Sequence, residues 1–229
     1  MANFACGHVF PRRWQSPAND RLHKIIYTPG ILTPKSDCAL AATENVTVRI
    51  FNYGSSLPPG TSFILTYTIN AGGPITEVAT LPSIFLSNGS LAYTFTTQAN
   101  LFSSGSYIFA ATVSLAEDIN PGNDAYNGYT VINSAPSVGG SVSGPAGPTF
   151  SGNVSLSGQT GNVLTWQQSD DGGLRWRRLA NTSSVQSFDQ LREHTTFRVL
   201  LRNGLCASAF SSTHVVLSSD PILYSGFEP

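Results

Sequence analysis

Apolar residues fall at every second position through most of this chain, in short runs broken by turn-forming residues. ENVTVRIFN (44–52) sets Val46, Val48 and Ile50 on one side and Thr47 and Arg49 on the other. SFILTYTIN (62–70) repeats the pattern with Phe63, Leu65, Tyr67 and Ile69, and LAYTFTT (91–97) with Leu91, Tyr93 and Phe95. A period of two belongs to a strand with one buried face, because successive side chains point to opposite sides. SSLPPG (55–60), AGGP (71–74), SNGS (87–90) and EDINPGND (117–124) lie between such runs and supply turn conformations. Charged residues are only 11% of the chain, and no long Ala/Glu/Lys/Leu/Arg stretch offers a helix. Hydrophobic residues make up 41%, enough for packed cores and against global disorder. Many short strands with turn signals between them predict an all-β sandwich architecture.

The strands fall into two sets. The first runs from KIIY (24–27), broken by Pro29 and Gly30, through 44–52, 62–70, ITEVA (75–79), 91–97 and SYIFAATVSL (106–115) to AYNGYTVI (125–132). NSAPSVGGSVSGPAGP (133–148) follows, and its latter half can already be an edge strand of the next domain. The second set is NVSLSG (153–158), NVLTWQQ (162–168), LRWRRLA (174–180), SVQSFD (184–189), TTFRVLLRNG (195–204) and FSSTHVVLS (210–218). The expected organisation is an arm at 1–21, a sandwich at 22–133, a linker at 134–147, a second sandwich at 148–219 and a tail at 220–229.

WQQSDDGGLRW (166–176) poses the sharpest functional question. Two tryptophans around acids and glycines suit either a ligand site or a hairpin with core aromatics. Strand phase puts Leu164, Trp166 and Gln168 on one face, and Leu174 and Trp176 together on the next strand. SDDGG supplies residues that tolerate positive φ. The expectation is therefore structural: both tryptophans in the core, with Asp170 and Asp171 in the turn.

Other chemistry is thin. The net charge of −1 argues against a nucleic-acid partner. The charges are uneven: no Lys or Arg lies between Arg49 and Arg175, whereas Arg175, Arg177, Arg178, Arg192, Arg198 and Arg202 crowd the later part. No stretch reaches the roughly 20 apolar residues of a membrane span, and MANFACGHVFPRRWQ lacks the apolar run of a signal peptide. His8, His23, His194 and His214 show no HExxH spacing, and no G-x-S-x-G elbow is present. Cys6, Cys38 and Cys206 show no zinc spacing; an odd count allows one bridge plus a free thiol, or an intermolecular link. The expectation is a non-enzyme with no catalytic, cofactor-binding or metal residues and no cofactor. Glu117, Asp118, Asn120, Asn123 and Asp124 could in principle ligate calcium, but Asx-type turns around Pro121–Gly122 are the expected reading. Sequons at Asn45, Asn88, Asn153 and Asn181 are no more than an Asn-, Ser- and Thr-rich composition produces.

Two resemblances sharpen this picture. Trp166, Asp171–Gly173, Trp176, Phe197–Arg198 and Asn203–Cys206 stand in a pattern that resembles Ig-like repeat modules of large bacterial surface and secreted proteins, often exported by the type IX route. That likeness covers most of 148–218. Upstream, Cys38, Glu44, Asn52–Gly54, Asp118, Asn120 and Asn123–Asp124 make residues 22–132 similar to the cell-adhesion-related bacterial domain, another Ig-like sandwich. The resemblance implies two tandem Ig-like antiparallel β-sandwiches in an extracellular bacterial adhesion or structural module, with a protein or glycan partner left open. One alternative is a filament subunit whose arm (1–21) or tail (220–229) adds to a neighbour's sheet, with self-association through 1–21. Another is a carbohydrate-binding accessory module of a secreted enzyme, using an exposed aromatic such as Trp14. The repeat module usually pairs an early Cys with the one after Asn-Gly, but here Phe150 occupies the early place. Cys206 is therefore expected to lack a partner in its own sandwich. Cys6–Cys38 is then the favoured bridge, with three reduced thiols or an intermolecular link as alternatives.

Overall fold

A computed structural model of the chain describes residues 26–116 and 118–219. The first eight strands are β1 (Ile26–Thr33), β2 (Asp37–Cys38), β3 (Thr47–Asn52), β4 (Ser62–Ile69), β5 (Ile75–Thr80), β6 (Gly89–Thr94), β7 (Gly105–Ser114) and β8 (Ala125–Ser134). The next eight are β9 (Ser141–Ser143), β10 (Gly152–Ser157), β11 (Asn162–Ser169), β12 (Arg177–Leu179), β13 (Val185–Phe188), β14 (Thr195–Arg202), β15 (Ala209–Phe210) and β16 (His214–Val216). A 3-10 turn at Pro121–Asn123 is the one helical element among the described residues. The first set forms a sheet in the order β1-β3-β6 and another in the order β2-β8-β7-β4-β5. The second forms β13-β10-β9 and β12-β11-β14-β15, with β16 also paired to β14. The fold is all-β, two sandwiches in tandem.

By packing, the described chain falls into two compact units. One comprises 26–32, Thr47–Phe95 and Ala110–Tyr129; the other comprises Thr33–Val46, Thr96–Phe109 and Thr130 onward. In the first unit the alternation read from sequence is realised. Val48 and Ile50 of β3 and Phe63, Leu65 and Tyr67 of β4 are buried, while Arg49 is exposed. Side chains also cross between its two sheets. The Tyr67 and Phe95 rings meet edge-on at 4.7 Å between centroids. The Tyr93 hydroxyl donates to Glu77 at 2.7 Å, and burial followed by this carboxylate pushes the Tyr93 pKa up to about 12. Asn52 closes β3 fully buried, with Nδ2 donating to the carbonyls of Ser55 and Phe85 while Oδ1 accepts from the Gly54 amide. Burying an amide is tolerable only with its bonds made, and these pin the loop after β3.

In the second unit, one core gathers Val142, Val154, Leu156, Trp166, Phe188, Leu191, Phe197, Val199, Leu201 and Val216. β14 shows why its strand was legible: Thr195, Phe197, Val199 and Leu201 are buried and their neighbours are not. Gly139 and Gly140 are packing glycines. A Cβ on Gly139 would stand 1.8 Å from the Phe210 carbonyl oxygen, and Gly140 has φ +68° with its Cβ position 2.4 Å from the Ser157 carbonyl oxygen. Only glycine fits so close to backbone.

Four strand readings change. β1 continues through Pro29 and Gly30 to Thr33 instead of breaking. It lies at a sheet edge, where a missing N–H costs no ladder bond. The run expected at 174–180 shortens to β12, because the loop before it extends through Trp176. The run at 210–218 splits into β15 and β16, with the Val199 amide donating to the Ser211 hydroxyl between them. In β11, the register shifts between Val163 and Thr165, so Leu164 becomes the extra residue of a bulge. Leu164 is 42% exposed and out of phase with Trp166.

Candidate functional site

The stretch around the two tryptophans resolves first. Trp166 lies in the middle of β11, fully buried, and its indole N–H donates to the Ser183 carbonyl at 2.8 Å. Asp171 organises the turn: its Oδ1 accepts from the Arg175 amide at 2.9 Å and from the Ser169 hydroxyl at 2.7 Å. These donors, the Arg175 amide first, hold the Asp171 carboxyl below its usual range. Gly172 and Gly173 take positive φ, as expected for this turn.

Trp176 departs from expectation. It does not reach the core, because it precedes β12 and its indole folds over the outer face, held by a bond from Nε1 to the Gly173 carbonyl. Leu174, its supposed partner, is 86% exposed. Trp176 instead stacks on Arg198: the guanidinium carbon lies 3.7 Å from the Trp176 ring centroid and 4.0 Å from that of Phe210. Arg198 Nε also donates to Gln167 at 2.7 Å, and burial lowers the Arg198 pKa. A cation between two aromatic faces is a stabilising clamp. It covers Gln167, which is why that outward-facing amide is buried.

The second feature is a cross-linked cleft in the second unit. Cys38 and Cys206 form a disulfide across 168 residues of sequence, with Cα atoms 4.8 Å apart. This overturns the Cys6–Cys38 pairing and the reduced-thiol alternative; Cys6 lies outside the described residues. Hydrogen bonds independent of sulfur hold the same segments. The Ala39 amide donates to the Ser134 carbonyl, Asn203 Nδ2 to the Ala135 carbonyl, and the Asn203 amide to the Ser137 hydroxyl. Asn133, buried at the end of β8, accepts from the Leu40 amide and donates to the Leu101 carbonyl at 2.6 Å. Its role escaped the sequence reading, although it repeats what Asn52 does at the end of β3. Beside it opens a largely apolar cleft of about 760 Å³, lined among others by Leu40, Ala42, Phe102, Asn133 and Pro136. The cleft presents apolar side chains, serine hydroxyls and one already bonded amide. It offers no nucleophile with a base.

Loop 118–124, in the first unit, folds as turns. The Asn120 amide donates to Asp118 Oδ1 at 2.8 Å, and the 3-10 turn follows. Glu117 lies outside the described residues. Among those described, no group of three or more His, Cys, Asp or Glu could hold a metal. Burial, then the charge of Asp118, pushes the Asp124 pKa up to about 6 from 3.8. A raised carboxyl pKa means the folded state binds the proton more tightly, so stability is lost as pH rises from about 4 through about 6. Asp124→Asn is expected to remove that loss. Melting temperatures of the two proteins should diverge in favour of the variant between pH 4 and pH 6, and a constant difference refutes the assignment.

The described residues define a class by fold: an all-β chain of β-sandwiches. A family model described as "Domain of unknown function (DUF8696)" matches residues 140–219, the second sandwich. No curated protein matches the chain. Among solved structures, a CARDB domain from Pyrococcus furiosus, solved in complex with di-metal ions, is similar with 18% identity and a TM-score of 0.32. That match covers 49% of this chain and 90% of that chain. Titin domains A168–A170 are 14% identical with a TM-score of 0.42, over 85% of this chain and 66% of that one. A tetra-tandem repeat from the extending region of a large adhesion protein is 17% identical with a TM-score of 0.35, over 84% of this chain and 49% of that one. The chain thus spans about half of that adhesion-protein structure. These likenesses concern fold alone.

Proposed function

We propose that this chain is a non-enzymatic adhesion or spacer segment of an extracellular bacterial surface or secreted protein. The Cys38–Cys206 bridge carries the reading. Disulfides persist in oxidising compartments and are rare in the cytosol. A bridge spanning 168 residues also resists extension, which suits a spacer. The buried amides and the Arg198 clamp are likewise invested in holding loops, not in presenting reactive groups. The resemblance of the second sandwich to repeat modules favours a type IX-exported parent. A carbohydrate platform gains little support from the described tryptophans: Trp166 is buried, and Trp176 lies half-buried against Arg198. Trp14 and the arm at 1–21, on which the carbohydrate and filament readings leaned, lie outside the described residues.

The test is made in the organism that encodes the chain. A membrane-impermeant label applied to intact cells should reach the protein, on the surface or in the medium, with Cys38 and Cys206 resistant to thiol alkylation until reductant is added. Recovery of the protein only from the cytoplasm, with both thiols free, overturns the proposal.

A further inference from the structure

Edge strands present unpaired backbone groups, and natural sheets normally guard them with Pro, charge, shortness or bulges. In this fold β1 contains Pro29, β12 is three residues with two arginines, and β13 has four residues. β6 exposes only Ser90, Ala92 and Thr94. β5 differs. It is six residues long, ends the five-stranded sheet, and pairs without irregularity to β4 from Ser62↔Thr80 to Tyr67↔Ile75. Its one charge, Glu77, accepts the Tyr93 hydroxyl within the sandwich and does not guard the edge.

The ladder fixes which backbone groups face outward. Leu81 directs both its N–H and its carbonyl toward the β4 side, to the Thr61 carbonyl and from the Gly60 amide. Backbone groups in an antiparallel strand alternate in direction, so those of Ile75, Glu77 and Ala79 also turn toward β4. The N–H and C=O groups of Thr76, Val78 and Thr80 therefore point away from the sheet. The side chains of the same three residues stand on the outer face. Val78 is 67% exposed and lies opposite Ile64, itself 46% exposed. Hydroxyl pairs flank them: Thr66 with Thr76 at 3.0 Å, and Ser62 with Thr80 at 2.9 Å.

This pattern is self-complementary. The geometry points to an isologous contact between two copies of this chain, β5 against β5 antiparallel, with the two-fold axis at Val78. Thr76 then faces the partner's Thr80, and Val78 faces the partner's Val78. All three outward pairs become hydrogen-bonded pairs. The outer face gains a continuous apolar row, Ile64–Val78–Val78–Ile64 across the two copies, between rows of hydroxyls. No charge in these rows opposes it, and a two-fold contact on a single patch closes at the dimer. The contact is small: six residues at about 3.3 Å each make an edge of roughly 20 Å. Association is therefore weak in solution, and gains strength where many copies share one surface.

Sedimentation of the full chain from about 10 μM to about 1 mM, the range a contact this small demands, should show a reversible monomer–dimer equilibrium. Val78→Lys places like charges opposite each other across the axis and should weaken the dimer at least tenfold. Val78→Ile should retain it. The outward position predicts that both variants fold, which their melting curves check. Amide exchange at Thr76, Val78 and Thr80 should slow as concentration rises. A chain that stays monomeric throughout, or a dimer indifferent to Val78→Lys, overturns the inference.

Discussion

Replacing Cys38 and Cys206 together by Ala lowers the stability of the unit that holds them by about 2–5 kcal/mol. The size follows from sequence separation. A cross-link restricts the unfolded ensemble in proportion to the logarithm of the loop it closes, and this loop is 168 residues. The chain-entropy relation puts the ceiling near 5 kcal/mol at room temperature. The folded state should change little, because both loops are tied independently of sulfur. Ala39 bonds to Ser134, and Asn203 to Ala135 and Ser137. Gly204, at φ +49°, approaches Ser134 so closely that a Cβ would stand 2.2 Å from its hydroxyl oxygen. The carbonyls of Ser134 and Ala135 also lie 3.5 and 3.1 Å from Cys206 Sγ, contacts that do not need a thiol proton. Guanidinium unfolding of the wild type with and without reductant should reproduce the loss seen in the double variant. A change below about 0.5 kcal/mol in both would show that the bridge does not stabilise this unit.

The strands of both sandwiches were legible because burial of one face writes itself into a period of two. Val46, Val48 and Ile50 are buried as that period requires, as are Phe63, Leu65 and Tyr67. Departures arose where a local rule was extended past its range. Leu164 lost phase because a bulge inserts one residue, and no composition signal marks a bulge within VLTWQQ. Trp176 was placed in the core by carrying strand phase backwards through a loop that is wider than a tight hairpin. The signal that could have corrected it was Arg198, a cation alternating outward between the buried Phe197 and Val199 on the next strand but one, which an aromatic face can cover. The disulfide was illegible for a different reason. Its halves meet through tertiary packing, and three cysteines with no local spacing do not specify a pair. The departure from the family pattern at Phe150 removes the usual partner of Cys206, and short sequence separation was a poor guide to the partner it does find, Cys38. The self-complementarity of β5 depends on which backbone groups face outward, and sequence carries that only once the register is known.

Trp166→Ala should be the most damaging single substitution in the second sandwich. The side chain is fully buried at the centre of β11, where it faces Val199 across the ladder and packs with Val154, Leu156, Phe197 and Leu201. Truncating a large core aromatic removes its transfer free energy and leaves a cavity, together about 3–5 kcal/mol. The indole N–H also donates to the Ser183 carbonyl, in the stretch between β12 and β13. Losing that donor adds about 1 kcal/mol. Trp166→Phe separates the two contributions, since it keeps most of the apolar bulk and loses the N–H; its cost should be about 1–2 kcal/mol. Trp176→Ala supplies the contrast. It uncovers one side of Arg198 on the outer face, where a cation–π contact contributes about 0.5–1 kcal/mol, and empties no core. Equilibrium unfolding of the three variants should therefore rank Trp166→Ala far below Trp166→Phe, with Trp176→Ala nearest the wild type. If the two alanine variants lose the same stability, the outer-face clamp is as important to this sandwich as its core, and the division of labour between the two tryptophans is wrong.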